Sequence, residues 1–169
     1  FEDRFTVSDK IDFILKLTGG NGTIDYTVAL NALQTRGDVQ KISLPVIIAQ
    51  GTSDGPVFWV TAGIHGIEHA GIQVIHKLVT PELVQRLRGA IVAIPALNPA
   101  GLRTLQRTAY YHNGDPNRLF PDGREPKHDP DKEPPSALEQ AYARLFEEVK
   151  QSASYFFDLH CISLNSLSF

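Results

Sequence analysis

Val57-Phe58-Trp59-Val60-Thr61-Ala62-Gly63-Ile64-His65-Gly66-Ile67-Glu68-His69-Ala70-Gly71 passes from a short, nearly all-apolar run into a loop punctuated by glycine. A run of this length and character is the pattern of a strand buried on both faces, as in the parallel sheets of α/β proteins. The turn-prone Gly51-Thr52-Ser53-Asp54-Gly55-Pro56 precedes it. A helical pattern follows from Glu68 to Val79, with Ile72, Ile75 and Val79 on one stripe. Gly63, Gly66 and Gly71 allow sharp bending and close backbone packing. His65 and Glu68 stand where the strand ends. Imidazole nitrogen and carboxylate oxygen are zinc ligands, and a catalytic zinc takes three protein ligands and leaves a position for water. The spacing suits two ligands on a tight turn, with a third further along the chain. Taken alone, the pair also reads as a strand-end histidine and a solvated glutamate favoured by a helix dipole.

Outward from this stretch the chain alternates. Gly89 to Leu97 contains a second buried strand, Ala90-Ile91-Val92-Ala93-Ile94, and Pro81 opens a further helical turn before it. Asn98-Pro99-Ala100-Gly101 begins a long, mostly irregular stretch, and residues 121–135 are proline-rich and charged, the mark of an exposed loop. Ser136-Ala137-Leu138-Glu139 is a capping box, opening a helix to about Gln151 with Leu138, Tyr142, Leu145, Phe146 and Val149 inward. Ser154 to Leu159 is the last strand. Towards the N-terminus, Ser8 is an N-cap for a short helix, Gly19-Gly20-Asn21-Gly22 a turn, and Thr23–Leu33 and Lys41–Gln50 two strands, with Pro45 favouring an edge or a bulge. The fold class is therefore α/β. It has a mixed, mostly parallel central sheet flanked by helices, with the early strands added at one edge as an antiparallel hairpin. Open sheets of this kind bind ligands at the carboxyl ends of their strands. His65, Asn98 and His160 all fall there.

The bulk numbers exclude several classes. The chain has 169 residues, enough for one domain with a real core, and a net charge of −3. With a pI near 6.1 it lacks the basic balance of a nucleic-acid binder. No run of ~18 apolar residues is present, so no membrane-spanning segment is expected, and no secretory signal is visible. The single cysteine, Cys161, excludes an internal disulfide and fits a reducing, cytoplasmic setting. The oligomeric state is not legible. The chain starts at Phe1 without methionine and stops just after an apolar strand, so it is expected to be part of a longer protein.

The segment Tyr155-Phe156-Phe157-Asp158-Leu159-His160 supplies the missing partner. Alternate strand residues share a face, so Asp158 and His160 lie on the same side. His160 is the natural third ligand. Asp158 is either a partner holding an imidazole in orientation or a strand-end hydrogen-bonding residue.

With Asn98-Pro99-Ala100-Gly101-Leu102 and Asp115-Pro116-Asn117-Arg118-Leu119-Phe120-Pro121 added, the chain resembles the zinc carboxypeptidase superfamily. Within it, the succinylglutamate desuccinylase and aspartoacylase branch is the match. The motifs come in the family's order and cover roughly residues 57–160. The resemblance implies a three-layer phosphorylase/hydrolase-like sandwich. Residues 1–169 would form a single, incomplete catalytic domain lacking later strands and any C-terminal β domain. It implies one zinc per chain held by His65, Glu68 and His160, with Asn117 and Arg118 binding the substrate's carboxylate. It gives Arg107 the polarisation of the scissile carbonyl, with Arg103 a rival. The planar guanidinium fork suits carboxylate recognition independently. His69, His76, His112, His128 and Cys161 match no ligand position. The family's general-base glutamate matches no residue here and is expected beyond Phe169, so the catalytic group is unknown from this chain. The implied activity is amide hydrolysis of a small acidic N-acyl amino acid. A peptide carboxypeptidase and a zinc-binding module without catalysis are the alternatives.

Overall fold

The computed structural model of the chain describes residues 24–32, 42–121 and 135–161. The helix expected after Ser8, the turn at 19–22 and the body of the proline-rich stretch (122–134) lie outside the described residues, as does His128. Five strands form one sheet: β1 (Ile24–Ala32), β2 (Ile42–Gln50), β3 (Ser53–Ala62), β4 (Arg88–Ile94) and β5 (Tyr155–Leu159), in the order β1-β2-β4-β3-β5. β3 is parallel to both β4 and β5, while β2 is antiparallel to β1 and β4. The expected mixed sheet with a hairpin at one edge is what forms. The helices are α1 (Ala70–Leu78), α2 (Pro81–Arg86), α3 (Pro99–Thr104) and α4 (Ala137–Ser152), with a single 3-10 turn at Pro116–Arg118.

Strand alternation divides the apolar residues between two faces. On one face Leu44, Val46, Ile48, Trp59, Val92 and Ile94 pack against Leu138, Tyr142, Leu145 and Val149 of α4. On the other, Ile47, Ala49, Val60, Ala62, Ile91 and Ala93 pack against Ile75, Val79 and Val84 of the α1–α2 segment. The central strands are apolar on both faces because both are covered, giving three layers. Ser136 caps α4 through its own hydroxyl and the Glu139 carboxylate, as the capping box predicts. Phe146 is only half-buried, with the Lys150 ammonium 5.7 Å from its ring centroid.

The structure refines the sequence expectation in several places. β3 begins at Ser53, inside the segment read as a turn. There the Gly51 and Thr52 amides donate to the carbonyls of Gly89 and Leu87. Those bonds draw the polar residues alongside the start of β4. Pro45 lies within β2, paired with Ala29 of β1 beyond the Ile47–Gln50 stretch that pairs with β4. β2 is thus an interior strand whose proline sits at a local edge. The irregular stretch after Asn98 contains α3, capped by the Asn98 side chain on the Gly101 amide. At the far edge β5 exposes Tyr155, Phe156 and Phe157. No helix among the described residues is long and apolar enough to cross a membrane.

Tyr142 shows how α4 is locked. Its hydroxyl donates to the Leu97 carbonyl at 3.1 Å, and its ring stacks on Phe120 with centroids 4.6 Å apart. Burial, with a smaller contribution from Tyr111, pushes the phenol well above its ordinary value. The unfolded chain therefore loses this proton near pH ~10 while the folded chain keeps it, so stability falls as pH rises through that range. Tyr142→Phe is expected to flatten this alkaline decline while costing about 1 kcal/mol at neutral pH. Urea midpoints at neutral pH and at about pH 10–11 check it, and an unchanged alkaline slope would refute the assignment.

Candidate metal centre

The first two candidate ligands occupy the ends of one turn. The Glu68 amide donates to the His65 carbonyl at 3.0 Å, closing a four-residue turn and placing side chains i and i+3 side by side. Gly63 enters this turn at a φ of +65°, a conformation that favours glycine. The Leu97 and Asn98 amides donate to the carbonyls of Ala62 and Gly63, so the continuation of β4 pins the turn's base. Glu68 is buried and precedes α1, which starts at Ala70 rather than at Glu68. The exposed first-turn alternative for Glu68 is therefore overturned. Its carboxylate is drawn instead between two imidazoles.

Glu68 Oε1 lies 2.6 Å from His65 Nδ1, and Glu68 Oε2 lies 3.1 Å from His160 Nδ1. One ligand atom from each of His65, Glu68 and His160 falls within 4.8 Å of the others. The outer nitrogens are also engaged: His65 Nε2 is 3.0 Å from Asp115 Oδ1, and His160 Nε2 is 2.8 Å from Asp158 Oδ2. Each imidazole thus lies between two carboxylates, with Glu68 on its Nδ1 side and Asp115 or Asp158 on its Nε2 side. Imidazole nitrogens and carboxylate oxygens at these distances share a proton or a metal ion between them. The donor set of two imidazoles and one carboxylate, each imidazole braced by an outer acceptor, fits a divalent metal such as zinc.

Asp115 belongs to this site although its motif alone assigns it no role. It caps the 3-10 turn through the Asn117 amide at 2.9 Å and binds Arg107 Nη2 at 2.8 Å through its other oxygen. Burial opposes its ionisation, but the bonds from Arg107, His65 and the Asn117 amide, with the Arg107 charge, outweigh it and hold the carboxyl well below the usual range. Acid followed by proline at a cap position was the available signal. Through Asp115, Arg107 and the Asn117–Arg118 turn are linked to the His65–Glu68–His160 cluster. Arg118 is exposed, its guanidinium donating to the Asn117 carbonyl. Arg103 is exposed on α3. Asp158 accepts from Thr61 as well as meeting His160. His69 bonds the Gly66 carbonyl, His112 accepts from the Gly114 amide, and His76 is exposed on α1. The Cys161 amide, rather than its thiol, reaches Glu68 Oε2 at 3.3 Å.

The site thus sits at the carboxyl ends of parallel strands in a three-layer mixed α/β sheet. Residues 54–168 match the model of the succinylglutamate desuccinylase/aspartoacylase catalytic domain, and the chain belongs to that family. It is 36% identical over 104 residues to a succinylglutamate desuccinylase of Yersinia pseudotuberculosis, covering 60% of this chain and 30% of that protein. It is 29% identical over 80 residues to an N-alpha-acetyl-L-2,4-diaminobutyric acid deacetylase of Halomonas elongata, covering 47% of this chain and 23% of that protein. The chain thus matches less than a third of the length of these relatives. Among solved structures, an aspartoacylase family protein of Mesorhizobium loti aligns with a TM-score of 0.58 at 23% identity, over 82% of this chain and 40% of that one. A metallo-carboxypeptidase of Pseudomonas aeruginosa aligns with a TM-score of 0.54 at 17% identity, over 92% and 40%. At these identities the structures speak for the fold alone.

Proposed function

We propose that the protein containing this chain is a zinc-dependent deacylase that hydrolyses the amide of a small, carboxylate-bearing N-acyl amino acid. The observation that carries the reading is the convergence of His65, Glu68 and His160, with Asp115 tying His65 to the Arg107 and Asn117–Arg118 segment. His65, Glu68 and His160 would hold the zinc, which when bound supplies a Lewis acid for the carbonyl and lowers the pKa of water. Arg118, an exposed planar fork beside Asn117, would grip the substrate's carboxylate bidentately and orient the amide over the metal. Arg107, held by Asp115 through Nη2, would present its remaining donors to the carbonyl oxygen. Glu68, Asp115 and Asp158 are each committed to an imidazole. In this reading none of the three serves as the proton acceptor.

The names of the two curated relatives favour acyl removal from an amino acid over peptide cleavage. The full-length protein is expected to hydrolyse N-succinyl or N-acetyl amino acids, to lose that activity on dialysis against a chelator and to regain it with Zn2+. Cleavage of peptide C-termini alone would replace this reading with a carboxypeptidase. Zinc binding without turnover of either substrate class would leave a binding module.

A further inference from the structure

We propose that Thr61 is a positioning residue for the metal centre, acting through Asp158 on His160. The inference rests on the reading of His65, Glu68 and His160 as metal ligands. Thr61 is the one hydroxyl in the apolar run of β3 and is almost fully buried, at 2% exposure. Its Oγ donates to Asp158 Oδ1 at 2.6 Å, a short bond of the kind formed with an ionised acceptor. The other oxygen, Asp158 Oδ2, lies 2.8 Å from His160 Nε2. Thr61 and Asp158 are direct partners in the β3–β5 register, so their side chains share a face. Four residues past Thr61 the same chain delivers His65.

The need for such a lock differs between the two histidines. The His65 side chain is 4% exposed and confined by packing. That of His160 is 35% exposed and Asp158 is 26% exposed, so packing alone does not hold either. A carboxylate at a half-open strand end rotates about its last torsion unless one oxygen is anchored. Thr61 supplies the anchor from the rigid interior of the sheet. The anchored carboxylate accepts the Nε2 proton and keeps Nδ1 of His160 aimed at Glu68. The hydroxyl buried in β3 thereby fixes the third ligand relative to the first two.

The test is metal binding by the chain itself. Thr61→Val removes the hydroxyl at nearly constant volume, and Thr61→Ser restores it without the methyl. Groups that brace a ligating histidine are worth about 10–100-fold in metal affinity. Thr61→Val is expected to weaken Zn2+ binding by about tenfold and to alter the Co2+ absorption spectrum, while Thr61→Ser stays close to the parent in both. Asp158→Asn, at a partly exposed position, is expected to weaken Zn2+ binding in the same direction and serves if the valine variant does not fold. Unchanged Zn2+ affinity and Co2+ spectrum in the folded variants overturn the proposal, even if metal-free stability drops, because Thr61 would then be a packing residue only. Failure of the parent chain to bind Zn2+ or Co2+ would overturn the metal reading and this inference with it.

Discussion

A His65→Ala chain is expected to bind Zn2+ more than about 100-fold more weakly than the parent, beyond the upper end of what loss of an outer partner costs. His65 is the most enclosed of the three candidate ligands and meets Glu68 on one nitrogen and Asp115 on the other. Its removal deletes a donor and also frees Asp115, the residue to which Arg107 and the Asn117 amide are bound. Glu68 is left buried beside a hole, so the variant should lose metal-free stability as well. Two measurements separate the effects. In the parent, Zn2+ at about 100 times its Kd should add about 2.7 kcal/mol of stability, seen as a rise in Tm. In His65→Ala the same zinc concentration should leave Tm almost unmoved. His76→Ala, on the exposed side of α1, controls for loss of any histidine and should retain the full rise. A His65→Ala chain with parental zinc affinity would remove the metal centre from the protein and leave its convergent side chains as a salt-bridge cluster.

How far this site can be read from the chain depends on the range of the contact. β3, β4 and the last strand were legible because near-continuous apolar runs at strand length have few other uses. The helix after Ser136 was legible because a capping box states its own start. His160 could be paired with His65 because strand alternation and strand-end position are both local rules. Asp115 was not legible as a partner of His65. Fifty residues separate them, and the loop between is placed by backbone bonds such as Asn98 to Gly63 that leave no periodic trace. Thr61 was equally silent, since threonine is a favoured strand residue and its hydroxyl has meaning only once β5 is known to lie beside β3. The false turn at Ser53–Pro56 arose from glycine and proline signals. Pairing with the start of β4 overrode them. Local pattern thus specified the strands and the longer helices, while short elements such as α3, and the site's finer geometry, came from what the sheet order brings together.

Gly66→Ala is expected to damage fold and metal centre together, and more severely than its single added methyl suggests. Gly66 occupies the middle of the His65–Glu68 turn, with no need for an unusual φ. What it needs is room. A Cβ there would lie 2.0 Å from the Gly101 carbonyl carbon, 2.2 Å from its oxygen and 2.4 Å from the Leu102 amide nitrogen. These are backbone atoms of α3, whose own start is held by Asn98 capping the Gly101 amide. No rotamer change relieves the clash, so either the ligand turn lifts away or α3 shifts. Overpacking typically costs about 1–3 kcal/mol and occasionally more, and the upper end is expected where the opposing atoms are backbone. Lifting the turn would separate His65 and Glu68 from Asp115 and His160, so zinc affinity should fall with stability. Gly71→Ala supplies the comparison: its Cβ would meet the Ala62 and Leu159 Cβ atoms at 3.0 Å, contacts eased by a shift of a few tenths of an ångström. Urea midpoints and Zn2+ titrations of both variants decide the matter. Equal effects at the two glycines, or a Gly66→Ala chain with parental stability and zinc affinity, would show that the turn is not seated on α3 as described. A large loss at Gly66 alone would mean that the glycine in His-Gly-Ile-Glu is required by the backbone packed against it, independently of any metal chemistry.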